Sequence, residues 1–133
     1  MKKLVMMGLL LANLLFNAAC DNSSNFPAAP VNDEPALQKL ADAYTQVREG
    51  LSVSPTGLNA QGKRKFVEKV FEKAGFSYHK TILAVAAIPE KKRSQHLKDL
   101  KQLILMPASR LNKKHFSEVF SPEEITAINK MGD

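Results

Sequence analysis

The side chains whose types could do chemistry are few: one cysteine, Cys20, three histidines, His79, His96 and His115, and two adjacent carboxylate pairs, Asp33 with Glu34 and Glu123 with Glu124. A zinc site needs about four ligands in recognisable clusters. The histidines lie in separate segments with no second His or Cys at ligand spacing, so neither a metal nor another cofactor is expected. Nucleophilic catalysis calls for a Ser on a sharp, Gly-flanked turn with a base in reach. No Gly-x-Ser-x-Gly occurs, and Ser54-Pro55-Thr56-Gly57 reads as a plain turn. The carboxylate pairs are of the kind a glycosidase uses, but both stand at expected helix starts, where the helix dipole favours negative charge. Capping is their expected role.

Two dense basic runs, Lys63-Arg64-Lys65 and Lys91-Lys92-Arg93, sit at or near helix beginnings, where the dipole does not help cations. Such breaks with local preference concentrate at functional sites. The runs are therefore a candidate binding face for anionic headgroups, acidic glycans or an acidic partner. The plainer reading is a solvated pair of helix faces.

Around Cys20 the pattern is more specific. Lys2 and Lys3 precede an apolar run from Leu4 to Phe16, interrupted only by Gly8 and Asn13, and small residues come after it at Ala18 and Ala19. This is the layout of a secretory signal over residues 1–19. A membrane span needs about 20 predominantly apolar residues, and this run is too short. The stretch Phe16-Asn17-Ala18-Ala19-Cys20 resembles the lipobox of bacterial lipoprotein precursors, with Asn17 where that family usually has an apolar or small residue. The resemblance covers residues 1–20 alone. It implies a diacylglycerol on the Cys20 sulfur, cleavage just before Cys20, and acylation of the new amino terminus. Each buried acyl CH₂ contributes about 0.8 kcal/mol, and two or more chains hold a protein on its membrane stably. Asp21 resembles the signal that retains enteric-type lipoproteins at the inner membrane. The expected location is the periplasmic face of that membrane, with the outer membrane as the alternative.

The chain beyond residue 19 is long enough for one small domain. Cys20 is the only cysteine, so an exported chain has no internal disulfide and must be held by packing. The net charge of +6 falls to +4 without Lys2 and Lys3. Nucleic acid is not an expected partner outside the cytoplasm. Residues 20–33, with Pro, Asn, Ser and Ala prominent, read as a flexible tether of roughly 20 Å typical reach.

Residues 34–133 carry helical periodicity. Leu37, Leu40, Ala41, Tyr44 and Val47 mark a first helix, with Asp33 as cap, Pro35 in the first turn and Gly50 beyond the end. Asn59 caps a second, over 60–74, with Phe66, Val67, Val70, Phe71 and Ala74 on one face and Gly75 as its stop. Ser77 caps a third, apolar around most of its circumference. Leu97, Leu100, Leu103 and Ile104 mark a fourth that ends near Leu105, because Pro107 disfavours helical geometry at Met106. A short element holding Leu111, Phe116, Val119 and Phe120 comes next. Ser121, Pro122 and Glu124 form a capping box for the last helix, whose apolar residues are Ile125, Ile128 and Met131. The expected class is all-α: a small irregular bundle of five or six short helices after a signal peptide and tether.

The expected function is a membrane-anchored, non-enzymatic module of the cell envelope. It would bind another envelope protein, as an accessory, exclusion or immunity factor, through a groove between helices or through the basic face. The alternative is an enzyme acting on peptidoglycan or a glycan-binding periplasmic protein.

Overall fold

A computed structural model describes residues 25–31, 34–92 and 95–131. Among the described residues, five α-helices succeed one another: α1 (Glu34–Glu49), α2 (Ala60–Ala74), α3 (Tyr78–Ala86), α4 (Gln95–Ile104) and α5 (Pro122–Met131). Short 3₁₀ turns at Pro55–Gly57, Glu90–Lys92, Met106–Ala108 and Lys113–Glu118 join them, and no strand occurs among the described residues. The protein is an all-α irregular bundle.

Local chemistry sets the helix ends. The Asn59 side chain accepts from Gly62 N at 2.7 Å and opens α2. Gly75, at φ 90°, closes it, a conformation that a Cβ would oppose, and Phe76 N reaches back to Phe71 O at 2.8 Å. Two residues later the Ser77 hydroxyl accepts from Lys80 N and starts α3. The capping box at α5 forms in full: Glu124 N donates to Ser121 Oγ at 3.2 Å, and Ser121 N donates to Glu124 Oε1 at 2.9 Å. Asp33, the expected cap of α1, lies outside the described residues.

Helices α1 and α2 form a hairpin, α5 lies along α3, and α2 also packs on the turn at Met106–Ala108. Tyr78, Phe71, Ile82, Leu97, Leu100 and Ile104 are the largest fully buried apolar side chains, and they draw on α2, α3 and α4 together. Tyr78 keeps its hydroxyl satisfied inside this core by donating to Ile104 O at 2.6 Å. Burial pushes the Tyr78 pKa far above its ordinary value, beyond the opposing pull of Arg64.

Residues 25–31, expected as part of a free tether, are instead docked. Ser77 N donates to Pro27 O at 2.7 Å, Ala29 N donates to the Thr81 hydroxyl at 2.9 Å, and Ala29 is 2 % exposed. The segment supplies backbone partners for two buried polar groups at the start of α3, the Ser77 N–H and the Thr81 hydroxyl.

Candidate functional site

Among the described residues, side chains converge in a charged cluster between α2, α3 and α5 and around an open cleft between α1 and α4; a smaller cleft of about 290 Å³ lies between α3 and α5.

The cluster begins with the register of α2 and α5. Arg64, Val67 and Phe71 fall at helical spacing on one face, and so do Glu124, Ala127, Ile128 and Met131, which places a charge on each buried stripe. The two helices bring these charges together. Arg64 Nη1 and Nη2 grip Glu124 Oε1 and Oε2 at 2.5 and 3.0 Å, a two-pronged contact matched to the guanidinium fork. Arg64 also donates to Glu68 at 3.2 Å and to Val119 O at 3.0 Å, and its guanidinium lies 5.0 Å from the Tyr78 ring centre. Glu124 is 1 % exposed. Its fourth hydrogen bond comes from His79 Nδ1 at 2.8 Å.

Burial alone would raise the Glu124 pKa. The Arg64 hydrogen bonds and charge, helped by Ser121 N–H and His79, outweigh it and hold the carboxyl below its ordinary range. The carboxylate therefore accepts only, so His79 Nδ1 carries the hydrogen and Nε2 faces outward, 4.0 Å from Glu123 Oε1. A general acid for glycoside cleavage needs a carboxyl shifted upward by its surroundings. Glu124 is shifted the other way and has every oxygen occupied, so the arrangement serves as a clamp between helices.

The cleft has a volume of about 550 Å³, within the range of natural ligand pockets. Leu37, Leu40, Ala41 and Tyr44 of α1 face Leu100 and Leu103 of α4 across it. Glu34, Asp99 and His96 stand at its edges. Glu34 and Asp99 are exposed, so the rim is acidic on a chain of positive net charge.

The sequence-predicted positions distribute unevenly over these features. Lys63 is 6 % exposed and Arg64 is spent in the clamp, so neither belongs to an open basic face. Both occupy the apolar stripe of α2, which is why they turn inward. Lys65 is exposed, as are Lys91 and Lys92 on the turn after α3. Arg93, Cys20 and Asp21 lie outside the described residues. His115 pairs locally with Glu118 at 2.7 Å. Glu123 and Glu124 do sit at a helix start as expected, but only Glu123 is exposed. Sequence reasoning missed the interhelical role of Glu124 and its partnership with His79. The available signal was a Glu at the head of the stripe that continues through Ala127, Ile128 and Met131.

No group of three or more His, Cys, Asp or Glu that could hold a metal ion exists among the described residues, and no helix there is long and apolar enough to cross a membrane. Comparison of the chain with protein-family models, curated proteins and solved structures gives no match.

Proposed function

We propose that the chain is a lipid-anchored protein of the bacterial cell envelope, held at Cys20 on the periplasmic face of the inner membrane, and that its helical domain binds another envelope protein without catalysing a reaction. The lipobox resemblance and Asp21 support the anchor. The observation that carries the binding role is the open cleft between α1 and α4, floored by Leu37, Tyr44, Leu100 and Leu103.

The cleft's chemistry selects its occupant. An amphipathic helix lays apolar residues into a groove of this kind, and basic residues beside that stripe would meet Glu34 and Asp99. The exposed basic run at Lys91 and Lys92 plays the smaller part, because its expected companions Lys63 and Arg64 are committed to the interior.

A photo-crosslinking residue at Ala41, in the cleft, compared with one at Asn129 on the exposed side of α5, tests this in living cells with the full chain. The expected result is a discrete product from position 41, absent from 129, whose crosslinked peptide is an amphipathic segment bearing Lys or Arg. No product from 41, or equal products from both positions, would overturn the cleft as the binding site.

A further inference from the structure

The docking of residues 25–31 changes what a lipid anchor at Cys20 would do, an inference that rests on the anchor proposed for that residue. With Pro27 and Ala29 bonded to the first turn of α3, five residue steps separate Cys20 from Asn25. At about 3.3–3.6 Å per residue this stretch reaches no more than roughly 18 Å even when fully extended. The domain is then held close to its membrane by a short arm. The arm is well anchored: the Thr81 hydroxyl accepts from Ala29 N while donating to Ser77 O at 2.6 Å, and Ser77 and Thr81 are both 0 % exposed.

The arm also fixes which end of the domain is near. It docks where α2 ends and α3 begins, and the α1–α2 hairpin places the loop 50–59 at the other end of α2. With 15 residues, α2 separates the two ends by about 22 Å. The near end carries Lys73 in the last turn of α2 and Lys80 in the first turn of α3, both exposed, with Lys69 one turn earlier. Glu72, on the same turn of α2, is half-buried, and Glu34, which the hairpin brings to this end at the start of α1, is the exposed acidic side chain that the lysines outnumber there. The far end shows Val53, Ser54 and Thr56, with no charged side chain between residues 50 and 59.

We propose that residues 25–31 are a fixed arm that presents the α2–α3 corner, with Lys73 and Lys80, to anionic lipid headgroups and points the loop 50–59 away from the membrane. A lysine held near an anionic leaflet interacts favourably with it, and the effect fades within a Debye length. The arm supplies that proximity.

The test uses the acylated full chain, purified from bacterial membranes and returned to vesicles of phosphatidylethanolamine and phosphatidylglycerol that carry a headgroup-linked acceptor dye. Ala74→Cys, at the same corner but not one of the lysines offered to the headgroups, and Val53→Cys each give one labelling site, since an acylated Cys20 has no free thiol; Ala74 is half-buried and Val53 exposed, and circular dichroism checks that each variant is folded. Energy transfer from position 74 is expected to exceed that from position 53 by about twofold or more, given the ~22 Å between the ends. Releasing the arm with Thr81→Val should shrink the difference, and so should replacing all lipid by phosphatidylcholine. Equal transfer from the two positions in acylated, vesicle-bound protein would overturn the fixed arm and leave the anchor standing. Absence of acyl mass on Cys20 would overturn the anchor and the arm's role together.

Discussion

Replacing Glu124 with Gln removes one charge from the clamp while keeping the side chain's shape. Arg64 then remains at 16 % side-chain exposure with Glu68 as its remaining anionic contact. Breaking a buried pair by removing one partner costs about 3–5 kcal/mol. The low end applies here, because Glu68 and the Val119 carbonyl still hold the guanidinium. A loss of about 3 kcal/mol at pH 7 is therefore expected, and at about 4–8 °C per kcal/mol for a domain of this size the melting temperature falls by roughly 12–24 °C. Thermal and urea unfolding followed by circular dichroism at 222 nm measures both. The acid limb adds a sign. The folded-state pKa of Glu124 lies below its ordinary 4.5, so its stabilisation is complete above that value and is lost as pH falls through the folded-state pKa. The gap between wild type and Glu124→Gln should accordingly narrow on acidification below about pH 4.5. A gap under about 1 kcal/mol at pH 7, or one that widens in acid, would refute the clamp.

Two further predictions probe the frame around the clamp. Tyr78→Phe strands the Ile104 carbonyl in the core and should cost about 1–3 kcal/mol in urea unfolding, while leaving the helical spectrum unchanged. Backbone handedness predicts opposite signs at two positions. Gly75→Ala, at φ 90°, should destabilise by about 1 kcal/mol, and Arg110→Gly, at φ 65°, should stabilise by a similar amount, both read as shifts of the urea midpoint.

The parts of the fold that are legible in the sequence are those written in neighbouring residues. Asn59 and Gly75 bracket α2, Ser77 opens α3, Pro107 stands just past the end of α4, and Ser121 with Glu124 forms the box that starts α5. Each signal acts on backbone within three or four positions, through a side chain or, at Gly75, through its lack of one. The clamp and the docked arm are not legible, because their partners are 60 and 52 positions apart. Arg64 misleads for a second reason: as the middle of a basic triplet it looks like surface charge, whereas its place on the Val67–Phe71 face directs it inward. The same error of face hides Glu124 behind its capping role. The cleft between α1 and α4 is foreseeable only in kind, as a groove between helices, since two amphipathic patterns do not say how far apart their faces will stand.

Everything proposed for the membrane depends on Cys20 carrying lipid and holding a binding domain there. Intact mass and membrane fractionation of the full chain expressed in a bacterium, beside Cys20→Ala, tests this most directly. The expected wild-type protein begins at Cys20, carries acyl mass and pellets with membranes, and the expected variant is either soluble in the periplasm or uncleaved. Wild-type protein that is cleaved, soluble and free of added mass would contradict it.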